Sequence, residues 1–180
     1  MDYRKIYIVQ LHTNTLPARL IKFATNYPYS HVALSFSSDC KVIYSFGRKS
    51  LRNILNGGFV AERKTSPFFE KFKNSVCRIY ELTVTPEQYR NLRQFVSETE
   101  KNSNSYQYDF LGAFLRFFKI PIVFKNKYVC SFFVAEALDK ANIHTFQKEN
   151  YFVIPKDFEA LKGSRQIYEG PFLSNSIFSA

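Results

Sequence analysis

Two apolar stretches, His31 to Phe36 and Lys41 to Phe46, stand on either side of the turn formers Ser37, Ser38 and Asp39. So short a connection admits little besides a β-hairpin. Gly47 ends the return strand. This hairpin fixes the reading of its neighbours. Tyr3 to Gln10, alternating around Ile6, Tyr7 and Ile8, reads as a strand, and so does the CRIYELTV run from Cys77 to Val84. Pro17 to Thr25 reads as a short helix with Thr13, Asn14 and Thr15 as cap candidates. Residues 48–75 read as irregular, with Gly57, Gly58 and Pro67 as breakers.

Helical spacing dominates later. Pro86 opens a helix to Glu100 with Tyr89, Leu92, Phe95 and Val96 on one face. A second helix is expected over Tyr108 to Lys119, closed by Pro121, and a third over Val129 to Ala141, stopped by Asn142. Lys125 to Lys127 reads as a turn. A short helix at Lys156 to Lys162 and a strand at Gln166 to Glu169 complete the chain. No repeat or linker interrupts it, so its 180 residues read as one domain, 1–180.

Composition narrows the function classes. The hydrophobic share of 46% supports a folded core, and 20 Phe and 12 Tyr supply much of it. The formal net charge of +10 favours an anionic partner or surface, but no dense Lys/Arg run marks a specific nucleic-acid site. Cys40, Cys77 and Cys130 form neither a disulfide framework nor a metal cluster. No metal or cofactor is implied. The first residues lack a signal peptide's pattern, and no apolar run is long enough for a transmembrane segment. The expected compartment is a reducing cytoplasm. Nothing in the sequence indicates an oligomeric state.

Cys130 falls in the first turn of the 129–141 helix, where backbone N–H groups and the helix dipole stabilise a thiolate. The same N–H groups, those of Cys130 and Ser131, are candidate oxyanion donors. The competing reading is a small buried hydrophobe. His31 opens an apolar strand, and a thiol on a helix N-terminus with an imidazole on a neighbouring strand is the arrangement of a Cys/His dyad. His12 and His144 fall in loop or helix-end contexts.

The run LHTNTLPARLIKFATNYPYSHVALSF resembles the start of circularly permuted papain-like proteins of the NlpC type, particularly the YiiX-like branch. The residues that carry the likeness are Leu20, Ile21, Thr25, Tyr29, Ser30, His31 and Val32. Tyr108 to Gly112, Tyr128 to Ser131, Phe133 and Val134 follow. The permuted order puts His before Cys. The resemblance implies an α+β fold with a small antiparallel sheet against the Cys-bearing helix. It also implies a cysteine hydrolase working through a thioester, with Cys130 as nucleophile and His31 as base. Its substrates would be peptide or cell-wall amides, or lipid esters.

The branch often carries a Glu on the return strand, but Lys41 to Phe46 has no acid. Ser45, or else Tyr44, is then the expected partner of the imidazole. Tyr128, Asp109 and Tyr29 are candidate substrate contacts, although a carboxylate at a helix start explains Asp109 as well. Arg48, Lys49 and Arg52 are candidates to line an anionic substrate's path. Phe110 to Phe124, with Arg116, Lys119 and Lys125, reads first as core and second as a basic aromatic patch for a membrane. Two rival functions stay open: a lipid acyltransferase or thioesterase, as in lecithin retinol acyltransferase relatives, and a binding module whose catalytic group has decayed.

Overall fold

The computed structural model describes residues 2–13, 15, 18–19, 22–23, 26–50, 53, 56–117, 120 and 122–173, with only the backbone described at 114–117. The fold is α+β. Strands β1 (Arg4–His12), β2 (His31–Ser35), β3 (Val42–Arg48), β4 (Gly57–Arg63) and β5 (Val76–Val84) precede most of the helices. Helix α1 (Pro67–Lys71) lies between β4 and β5. Then come α2 (Pro86–Lys101), β6 (Gln107–Tyr108), α3 (Phe110–Phe117), β7 (Lys127–Tyr128), α4 (Cys130–Lys140) and β8 (Ser164–Pro171). The main sheet runs β4-β3-β2-β1-β5-β8 with every neighbouring pair antiparallel, and β6 pairs with β7 in a separate parallel ladder.

Strand alternation gives the sheet two buried faces. Ile6, Ile8, Val32, Leu34, Phe46 and Phe59 face α2 and α4. Tyr7, Val9, Leu11, Ala33, Ile43 and Ile79 face Phe69 of α1 and Phe172. A strand buried on both sides loses the polar alternation of a half-exposed one, which is why β1 is apolar almost throughout.

The expected hairpin is β2–β3, held by the Leu34–Tyr44 pair. The expected helix from Pro86 is α2. Thr85 accepts the N–H of Gln88, and the Gln88 side chain accepts the Thr85 N–H, a reciprocal cap that sets its first turn. Asn142, at φ 53°, stops the chain after α4 as its residue type suggests. Within the expected helix at 17–25, residues 18, 19, 22 and 23 are helical, whereas Leu20, Ile21 and Thr25 lie outside the described residues, as do Arg52, Lys119, Pro121 and the Arg116 side chain.

Three expectations change. Strand β4 and helix α1 occupy part of the stretch read as irregular. Gly57 and Gly58 do not break β4; they pair with Arg48 and Gly47 inside the ladder. Gly57 is there because β6 crosses it closely: a Cβ at that position would lie 2.6 Å from Tyr108 Cβ. Pro67 likewise starts α1, at a position where a missing N–H costs no helical hydrogen bond. Residues 155–160 form a 3₁₀ turn in place of a helix.

Helix α4 is anchored by Phe133, whose ring centroid lies 5.2 Å from Phe46, 5.6 Å from Phe59 and 5.9 Å from Phe95. Replacing Phe133 with Ala removes the contact that seats α4 on the sheet. Urea unfolding of Phe133→Ala should show a loss of about 3–5 kcal/mol; a loss below about 1 kcal/mol would mean that the helix is held elsewhere.

Candidate active site

Cys130 is the first residue of α4 because the preceding chain is fixed on both sides. Asn126 turns at φ 59°, Lys127 and Tyr128 pair with β6, and Val129 stays extended at φ −104° and ψ 166°. The Val129 side chain provides no acceptor for the first-turn N–H groups, and no acidic residue sits in that turn. A thiolate or oxyanion there meets the positive end of the helix without a competing carboxylate. The Ser131 hydroxyl donates to Val153 O at 2.6 Å and ties this turn to the 150–152 segment. Cys130 itself is buried, in the core cluster that holds Val32 and Phe133.

The helix start and the His31 end of β2 lie at the same end of the sheet. Tyr128, two residues before Cys130, has its ring 5.0 Å from Phe46 near the end of β3. Gln10, next to the Leu11–His31 pair, donates to Pro155 O, close in sequence to the Val153 carbonyl that Ser131 holds. Both groups are therefore brought to one region, but no hydrogen bond joins them. Alternation in β2 turns Val32 and Leu34 toward α4, whereas His31 pairs with Leu11 and points with Ala33 toward the α1 face. The expected apposition of imidazole and thiol is thus met only as far as the two residues sharing one end of the sheet.

His31 is half-buried, and burial alone lowers its pKa from 6.5 to about 4. Among the described residues none hydrogen-bonds to its ring. Extending the Leu34–Tyr44 register sets His31 opposite Gly47, and a Cβ built on Gly47 would lie 3.7 Å from His31 Cε1. The position beside the imidazole has no side chain. The two residues expected beside it, Ser45 and Tyr44, are placed as follows. Ser45 is buried with its hydroxyl donating to Val32 O at 2.7 Å. Tyr44 lies on the other face, its ring against Phe36 and Phe59.

The remaining sequence candidates take structural positions. Asp109 is buried, accepts the Gly112 N–H at 2.8 Å and donates its own N–H to Tyr128 O at 2.9 Å, so it caps α3 and binds that helix to β7. Gly112 follows from the same cap, since a Cβ there would come within 1.8 Å of Asp109 Oδ2. Tyr29 is buried and donates to Glu169 Oε1 at 2.7 Å, with the Arg78 guanidinium 5.1 Å from its ring centroid, so it serves the β5–β8 edge. Tyr128 is half-buried against Phe132 and Tyr106; burial, and then the Glu136 charge, raise its phenol above the ordinary value. Arg48 lies over Phe68 and Phe72, and Lys49 donates to Ser103 O.

One residue near the site was read as a loop residue. Strand β1 runs on to His12, which by alternation lies on the side of Ile6 and Ile8. His12 is buried, with Nδ1 3.4 Å from Ser30 Oγ. The signal was present in the two-residue spacing Ile6, Ile8, Gln10, His12, but two polar residues at its end hid it.

Among the described residues no group of His, Cys, Asp and Glu could hold a metal, and no helix is long and apolar enough to cross a membrane. No family model matches the chain, and no curated protein matches its sequence.

The enclosed imidazole has a consequence for stability. The folded state resists protonation down to about pH 4, while the unfolded chain takes the proton near 6.5. Stability from this group is complete above pH 6.5 and is lost as pH falls toward 4. Thermal unfolding of wild type and His31→Gln should therefore diverge over that window, with wild type losing more. Glu62, pushed up to about 7 by burial, titrates in both proteins and cancels in the difference. Parallel curves would show that the ring is not enclosed.

Proposed function

We propose that the chain is a cysteine hydrolase of the permuted papain-like kind, in which Cys130 forms a thioester with an amide or ester carbonyl. The observation that carries this reading is the position of Cys130 as first residue of a helix whose N-cap contributes no side-chain acceptor and whose first turn has no acid. In the proposed cycle His31 accepts the thiol proton as sulfur attacks the carbonyl carbon. The backbone N–H groups of Cys130 and Ser131 receive the oxyanion. The carbon–nitrogen or carbon–oxygen bond then breaks, and the proton passes from the imidazolium to the leaving amine or alcohol. Water repeats the sequence on the thioester and releases the acid; a second alcohol or amine in place of water makes the reaction acyl transfer.

With an imidazole pKa of about 4, His31 is neutral at physiological pH. Activation then depends on substrate binding to bring the ring to the sulfur. Burial accounts for the low basicity, and Gly47 leaves the position opposite His31 without a carboxylate to offset it. A carboxylate at that position should raise the imidazole pKa by about one unit or more. The NMR titration of His31 in Gly47→Asp tests this, and an unmoved titration would mean that the added group points away from the ring.

A second assignment of the base has its own support: by alternation His12 lies on the side of the sheet whose core cluster includes Cys130, with Ser30 Oγ 3.4 Å from its Nδ1. Hydrolysis of an activated thioester or aryl ester by the purified chain separates the two. Cys130→Ala should abolish turnover. His31→Gln should lower kcat/KM by about a hundredfold or more, with His12→Gln within about tenfold of wild type. The reverse ranking assigns the base to His12. Turnover retained in Cys130→Ala would overturn the thioester mechanism. Alkylation of Cys130 no faster than that of Cys40 or Cys77 would favour a binding module on the same scaffold.

A further inference from the structure

We propose that the excursion between β6 and β7 docks the protein on an anionic lipid surface. The chain leaves the β6–β7 ladder at Asp109, runs through α3 and returns at Lys127, so both ends of the excursion are pinned at one base. Phe110 to Phe124 reads in sequence as core, yet five of its described apolar side chains are exposed. Leu111 is 55% exposed and Val123 54%, and Phe110, Ile120 and Ile122 are exposed beside them. Elsewhere among the described residues the exposed large apolar side chains are scattered: Tyr3, Phe23 and Val76. Five apolar side chains left in water on one projecting segment mark a contact surface.

Charge selects the occupant. From Phe110 to Lys127 the sequence holds Arg116, Lys119, Lys125 and Lys127 and no acidic residue. Lys127 lies over the Phe124 ring with Nζ 5.3 Å from its centroid, so a cation and an apolar side chain share one surface. At the base of the excursion a groove of about 500 Å³ is lined by Lys49 and Lys127 together with Tyr106, Tyr108, Phe110 and Leu111, and no acid lines it. Exposed aliphatic tips among cations fit a bilayer interface: the tips enter the acyl region while the ammonium groups meet phosphate. A nucleic acid would leave Leu111, Ile122 and Val123 in water, and a basic protein with a net charge of +10 repels a second copy of itself.

The proposal does not depend on the chemistry at Cys130, and its test does not read activity. The full chain is sedimented with vesicles of phosphatidylcholine alone and of phosphatidylcholine mixed with phosphatidylglycerol. Binding to the mixed vesicles should be about tenfold or more tighter, and added salt should weaken it. Leu111→Ser with Val123→Ser should remove binding while leaving the thermal midpoint in place, since both side chains are already in water. Lys125→Glu with Lys127→Glu should remove the preference for the anionic lipid. Wild type that ignores the mixed vesicles, or the serine double variant binding as wild type does, overturns the proposal. So does self-association that depends on Leu111 and Val123 in a chain that stays off vesicles.

Discussion

The arrangement of the molecule depends on how α4 sits on the centre of the sheet. Its inner face is small or apolar at Val134, Ala137 and Leu138, so the helix axis approaches β2 closely, and Phe133 enters the aromatic cluster formed by Phe46, Phe59 and Phe95. That seating fixes the first turn of the helix over the end of the sheet where β2 starts and β1 stops. Everything said about Cys130 follows from it. A thiol in this position is set by packing and not by its own bonds, and the burial that fixes it also restricts access to it.

The other two thiols show what the helix start contributes by contrast. Cys40 and Cys77 are fully buried on the opposite face, and burial pushes both up to about 12. Neither lies at the start of a helix. At neutral pH they are protonated sulfur in an apolar layer, close in behaviour to a small hydrophobic side chain. The sheet thus separates two inert thiols from the one that adjoins a helix N-terminus.

Much of this was legible in the residues themselves. The hairpin at Ser37 to Asp39, the capped helix at Pro86 and the helix opening at Cys130 each depend on local chemistry, and local chemistry is what a sequence displays. The residue opposite His31 was not legible, because strand register decides it: Tyr44, Ser45 and Gly47 lie within four positions of one strand, and only the register sets Gly47 opposite the imidazole. Gly57 and Gly58 misled for a related reason. Their value lies in the passage of β6 across β4, a contact between segments about fifty residues apart, and a glycine needed for close approach looks the same in sequence as a glycine that breaks a strand. The stretch from Phe110 to Phe124 shows the same limit for burial, since its hydrophobicity says nothing about whether a covering layer exists.

The strand order has a consequence for how the chain is made. Strands β1 to β5 pair mainly with near neighbours in sequence, but β8 returns to β5 across residues 85–163, and α4 lies inside that interval. During vectorial synthesis the first five strands emerge with their partners already in hand, whereas the helix bearing Cys130 emerges late and the sealing edge strand later still. The growing chain therefore carries His12 and His31 long before it carries Cys130. The helix start that holds Cys130 is therefore completed only from the last third of the polypeptide, after the first five strands have been made.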